Sequence, residues 1–254
     1  PRGVWRLEVH ADPGAPAIAS AAVLVEDFVP ERVDFDLSLD RDGAIDPASP
    51  PNLRIEARHL FGPPAAGLTL SGSLNVFATP ELDGWPGYLF GRHDQPADTQ
   101  RRTLDGAFAT DAEGHLVAPL PLDRLALEAR PYALSLNATL LDGAARPVER
   151  SLTRALRPTA NVVGIRPAFD GVLPENAEAA FDLALVDPDG RAASGELRWQ
   201  LDRVETRYQW FSLGGGWYWQ AVSQRQRVAE GVVDVAGGAT GGGARIAVPV
   251  TWGR

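Results

Sequence analysis

Apolar and polar residues alternate one for one along several stretches of this chain. A period of two is the signature of a strand with one buried face and one wet face. Val33, Phe35, Leu37 and Leu39 share one parity, with Asp34, Asp36 and Ser38 on the other. Leu53, Ile55 and Ala57 alternate with Arg54, Glu56 and Arg58, and Leu134, Leu136, Ala138 and Leu140 with Ser135, Asn137 and Thr139. The same holds for Leu197, Trp199 and Leu201, and for Ile246, Val248, Val250 and Trp252. Strands of this kind belong to antiparallel sheets, because parallel sheets are covered on both faces and carry continuous apolar runs.

Turn chemistry points the same way. Asp-Gly pairs stand at 42–43, 83–84, 105–106, 142–143, 170–171 and 189–190, and Gly supplies the positive φ that tight turns need. The 26 Gly and 21 Pro favour many turns over long helices. The best helical candidate, Leu120 to Ala129, is short, ambiguous in pattern and accompanied by Pro119 and Pro121. Many short strands punctuated by turns predict β-sandwiches.

One sandwich takes about 100 residues, so 254 residues predict two and a remainder. Joints are expected at Val29-Pro30 and at Pro158, which follows the Arg-rich stretch 146–157. That divides the chain into 1–29, 30–157 and 158–254. The first piece reads as a hairpin of Gly3 to Val9 and Ile18 to Val25, and a lone hairpin is marginal in water. The expectation is that it forms the last strands of a preceding domain, and that the 158–254 domain is cut short at its C-terminal end. Open strand edges are pairing templates, so strand-mediated self-association is a further expectation.

Composition removes several chemistries. There is no Cys and no Met, and all 24 basic residues are Arg. Disulfides, thiol nucleophiles, thiolate metal sites, a thioester, Schiff-base lysines and P-loop lysines are therefore excluded. A net charge of −9 argues against nucleic acid and anionic membranes as partners. No apolar run approaches the roughly 20 residues of a spanning helix.

Two sets of residues carry a resemblance. The run Val25-Glu26-Asp27-Phe28-Val29-Pro30-Glu31-Arg32-Val33-Asp34-Phe35-Asp36-Leu37 resembles the join between successive macroglobulin-like domains of the alpha-2-macroglobulin and complement family. Leu53 to Gly62 followed by Pro64-Ala65-Ala66-Gly67 is similar to the second strand of such a domain and the turn after it. Ile165 to Gly171, Ala180-Phe181-Asp182-Leu183 and Val186 to Gly190 look like the opening of the next one. Trp199 to Trp219 is similar to the aromatic hairpin of bacterial members, and the Ala/Arg-rich, Lys-free composition fits a GC-rich bacterial genome. The resemblance implies macroglobulin-like β-sandwiches of fibronectin/Ig-like architecture. It also implies a full-length protease trap, periplasmic and anchored to the inner membrane. Its partners would be other macroglobulin-like domains of the same chain, target proteases and, in some members, a penicillin-binding protein.

Candidate sites are few. His10, His59, His93 and His115 are scattered with no i,i+2 or i,i+4 pair, so they read as single surface or edge histidines and not as a metal site. Ser71-Gly72-Ser73 lacks a nucleophile-elbow context. Asp34, Asp36, Asp40 and Asp42 lack calcium-loop spacing and read as a solvated strand face. Asp187-Pro188-Asp189-Gly190 reads as a turn. With 33 carboxylates, accidental acid pairs are guaranteed, and none stands out for glycoside chemistry.

The aromatic run remains. Tyr208, Trp210 and Phe211 precede Gly214-Gly215-Gly216, and Trp217, Tyr218 and Trp219 follow. A hairpin here puts Tyr208 and Trp210 on one parity and Trp217 and Trp219 on one face of the returning strand. Arg203, Arg207, Arg225 and Arg227 flank it and could stack on the rings. The favoured expectation is that these rings seal a sandwich or an interdomain joint. The rival is an exposed surface of Tyr208, Trp210, Trp217, Tyr218 and Trp219 that binds carbohydrate or peptidoglycan through coplanar rings. The expectation is thus a non-catalytic, tandem β-sandwich framework with no cofactor, no metal and no catalytic residue.

Overall fold

The computed structural model describes residues 3–12, 14–25, 32–92, 94–104, 108–141, 147–214, 216–238 and 242–250, without the side chains of Phe211 and Leu213. The expected joint at Val29-Pro30, the Asp-Gly pairs at 105–106 and 142–143, His93, Arg146, Gly215 and Trp252 lie outside the described residues.

Fifteen strands and no helix form among the described residues. In chain order they are β1 (Gly3–Val9), β2 (Ala19–Val25), β3 (Val33–Leu39), β4 (Asn52–His59), β5 (Thr69–Ala78), β6 (Leu89–Phe90), β7 (Gln100–Thr103) and β8 (His115–Pro119). They continue with β9 (Tyr132–Leu141), β10 (Val148–Leu156), β11 (Val162–Pro167), β12 (Glu178–Val186), β13 (Gly195–Leu213), β14 (Gly216–Val235) and β15 (Ala244–Pro249). Every ladder between them is antiparallel. The chain is all-β, as the alternation requires.

Among the described residues β1 and β2 pair only with each other. Their register puts Trp5, Leu7 and Val9 opposite Val23, Ala21 and Ala19, so one ribbon face is wholly apolar, and it is exposed.

The first sandwich faces the sheet β3-β4-β8 against β10-β9-β5-β7. Phe35, Leu53 and Ile55 from one layer meet Leu74, Leu136 and Leu140 from the other in a single buried cluster. Leu53, Leu74, Leu134 and Leu136 are fully buried, at about 25 cal/mol per Å² of apolar surface removed from water. The polar parity faces out: Asp34 is bridged by Arg150 at 2.6 Å and Arg58 at 3.6 Å, and Asp36 by Arg58 at 3.1 Å. The segment Leu120 to Ala129 holds no helix, and Arg124 there adopts φ 55°.

The second unit is a four-stranded sheet, β15-β12-β11-β6, accompanied by the long ribbon β13-β14. Its edge strand comes from the other side of the expected domain joint. Leu89 and Phe90, in the connection between β5 and β7, pair with Ile165 and Gly164 of β11. Phe90 is buried with Val162, Ala184 and Val186, and Leu82, Trp85 and Tyr88 pack against them. Gly164 permits this: a Cβ there would lie 2.7 Å from two ring carbons of Phe90. The connection 80–91 therefore leaves the first sandwich and completes the core of the second.

Polar ties reinforce the joint. Arg157 closes β10 by donating its amide to Ile45 O, while its side chain bonds Pro188 O, Asp189 and, at 3.7 Å, Asp46. The Trp85 indole donates to Gly190 O at 3.1 Å. Residues 187–190 form a turn, with Gly190 N on Asp187 O and the Asp187 carboxylate accepting from Asp189 N and Arg191 N at 2.9 Å. Gly190 supplies its φ of 79°.

Candidate functional site

Two features carry unabsorbed chemistry, an aromatic arm and an arginine cleft. The arm is the distal part of β13-β14, beyond the irregularity between Leu201 and Asp202. Its base is stiffened where the Trp199 ring lies across Gly231, so close that a Cβ on Gly231 would meet the indole at 2.9 Å. Farther out the pairing runs Thr206↔Ser223, Tyr208↔Ala221, Trp210↔Trp219 and Ser212↔Trp217. Directly opposite residues share a face, so Tyr208, Trp210, Trp217 and Trp219 stand together on one face, with Tyr218 on the other.

Within this chain these rings stand exposed. Tyr208 and Trp210 are each 66% exposed, Trp217 72%, Tyr218 53% and Trp219 61%. Among the described residues they seal neither sandwich, each being more than half exposed. Tyr208 and Trp219 meet edge-on, with centroids 5.5 Å apart and planes at 66°, a ridge where a flat sugar platform needs coplanar rings. Below them Thr206 and Ser223 hydroxyls bond at 3.2 Å. Arg203 and Arg207 engage Glu205, and Arg227 engages Asp202 and Glu230; these arginines are spent on carboxylates.

The cleft was not legible as a motif, because its parts come from four separate segments. Trp85 and Tyr88 sit in the crossing connection, Arg166 on β11, Asp182 on β12 and Arg245 on β15. Together with Gly242 and Gly243 they line a cavity of about 560 Å³. Asp182 is central: Arg166 Nη2 donates to one carboxylate oxygen at 2.9 Å and Arg245 Nε to the other at 2.8 Å. Those two hydrogen bonds, Arg245's first, hold the Asp182 carboxyl below its ordinary range. The Arg166 guanidinium also lies 4.6 Å over the Tyr88 ring, and Trp85 meets Tyr88 edge-on at 87°.

The remaining sequence candidates are not brought together. His10 bonds Ala15 O, His59 stacks on Phe61 and His115 donates its amide to Asp111. Asp40 bonds Asn52 and is not joined to Asp34 or Asp36. No group of three or more His, Asp or Glu poised for a metal occurs among the described residues. Ser71 and Ser73 lie within β5, paired to Thr139 and Asn137.

Comparison with known proteins gives a consistent result. The Bacterial Alpha-2-macroglobulin MG5 domain model matches residues 31–158, and the Bacterial macroglobulin domain 6 model matches 164–254. Alpha-2-macroglobulin of Xylella fastidiosa (strain 9a5c) is 33% identical over 259 residues, covering 100% of this chain and 15% of the relative. That of Escherichia coli (strain K12) is 29% identical, covering 99% of this chain and 16% of the relative. Salmonella alpha-2-macroglobulin reacted with methylamine superposes with TM-score 0.62 at 26% identity, over 100% of this chain and 17% of that one. E. coli alpha-2-macroglobulin activated by porcine elastase gives 0.60 at 26%, over 99% and 22%. The chain thus spans about one sixth of the length of the curated relatives it matches.

Proposed function

Because this chain belongs to the bacterial alpha-2-macroglobulin family, we propose that it serves as non-catalytic framework within a protease-trapping inhibitor of the bacterial periplasm. It binds other macroglobulin-like domains of its own polypeptide, and it meets target proteases through the full-length protein. A penicillin-binding protein would be reached the same way, and the inner-membrane anchor would lie elsewhere in the polypeptide. The sequence supports this reading by excluding a thioester from the segment, which has no Cys.

The observation that carries the proposal is the crossing strand. β6 leaves the MG5-matched region to become an edge strand of the MG6-matched sheet, and Phe90 fills that sheet's core. Two domains that share a sheet cannot slide past one another without breaking backbone hydrogen bonds and exposing a buried ring. That is the property of a framework, which must transmit a rearrangement without absorbing it.

The test uses the full-length parent protein and an endopeptidase, with a large protein substrate as reporter. Full-length protein is expected to protect the substrate, the isolated 254-residue chain neither to protect nor to hydrolyse it, and Phe90→Ala in the full-length protein to reduce protection. Hydrolysis by the isolated chain, or undiminished protection by a folded Phe90→Ala protein, would overturn the reading.

A further inference from the structure

The arginine cleft has the makings of a ligand site independent of the framework role. Its lining holds two guanidinium groups and one carboxylate, so pairing within it leaves one positive charge. Asp182 consumes Nη2 of Arg166 and Nε of Arg245. Their other N–H groups meet no acceptor among the described residues. Arg245 is 64% exposed on the edge strand and Arg166 42%, which leaves those donors open to the cavity.

The fork is also fixed in place. Asp182 is only 15% exposed and grips both arginines from the middle strand of three, while Arg166 is held over Tyr88 from the other side. Guanidinium recognises carboxylate through two parallel hydrogen bonds, and pre-orientation lowers the entropy lost on binding. Beside the fork stand the Trp85 and Tyr88 rings, an apolar wall for a side chain. A cleft of this size between two domains, aromatic on one wall with convergent polar groups on the other, has the form of a small-ligand site.

We propose that this cleft binds a free carboxylate carried next to an apolar or aromatic group, the chemistry shared by a peptide's C-terminal residue and a small organic acid. Arg245 and Arg166 take the carboxylate, and Trp85 and Tyr88 cover the apolar group. A neutral amide of the same shape is excluded from the fork, because it has one acceptor oxygen where the arginines present paired donors.

The experiment follows the Trp85 indole N–H cross peak, assigned with Trp85→Phe, in the 254-residue chain. The probes are N-acetylphenylalanine, N-acetyl-Ala-Ala-Phe with a free C-terminus, and the amide of each. Both acids are expected to shift the peak saturably, with Kd in the millimolar range, while the amides leave it unmoved. Tighter binding of the tripeptide identifies a chain end as the ligand, and equal binding a free acid. Arg245→Gln, at an exposed edge position, is expected to weaken binding at least tenfold while the rest of the spectrum superimposes. Added salt should weaken it further. Equal shifts from acid and amide, no saturable shift with either acid, or unchanged affinity in Arg245→Gln would overturn the proposal.

Discussion

The contact between Phe90 and Gly164 admits a quantitative test. Phe90 is 5% exposed and its ring lies where a side chain on Gly164 would be. Phe90→Ala removes a buried ring from a small core and is expected to cost about 3–5 kcal/mol. Gly164→Ala adds a methyl 2.7 Å from ring carbons Cε1 and Cζ. The ring must then shift within a packed cluster, at about 1–3 kcal/mol. In Phe90→Ala/Gly164→Ala the new methyl occupies space the ring has vacated, so the second change becomes harmless. The double variant is expected to be no less stable than Phe90→Ala, a coupling of about 1–3 kcal/mol. Urea unfolding read from the Trp85 indole resonance gives all four stabilities. Additivity within about 0.5 kcal/mol would refute the packing argument.

Other consequences are more local. Leu74, fully buried between the layers of the first sandwich, is expected to lose about 2–5 kcal/mol on truncation to Ala, measured by urea midpoint. Asp182 has a folded pKa lowered first by Arg245 and then by Arg166. Its contribution is therefore present above the unfolded value of about 3.9 and is lost as pH falls through the lower folded one. Asp182→Asn should be less stable than the parent at neutral pH, and the gap should close as pH falls through that lowered folded value. Soluble peptidoglycan fragments titrated against tryptophan emission should give a flat response, unaltered by Trp217→Ala or Trp219→Ala; a saturable shift abolished by those changes would make the arm a glycan-binding surface.

The strands of the first sandwich could be read from sequence because alternation is a local property. β3 covers the span from Val33 to Leu39, and β4 and β9 contain the periodic sets at 53–57 and 134–140. The turn at 187–190 was legible for the same reason, since Asp and Gly chemistry fixes it within four residues. β6 was not. Two residues in a Pro/Gly-rich connection show no period, and their partner is chosen by a missing side chain at Gly164, more than seventy positions away. The fate of the aromatic rings was also hidden. Parity correctly grouped Tyr208 with Trp210 and Trp217 with Trp219, but parity says nothing about whether a second layer covers the face. Nor could spacing reveal the cleft, because Arg166, Asp182 and Arg245 become neighbours only when β11, β12 and β15 pair.

The central claim is that the two matched regions form one mechanical unit through β6. Residue-resolved urea unfolding of the 254-residue chain tests it most directly, using the amide cross peaks of Leu136 in the first core and Val186 in the second. The account predicts one shared midpoint for both, separating into two when Phe90 is replaced by Ala. Two distinct midpoints in the unaltered chain would contradict it.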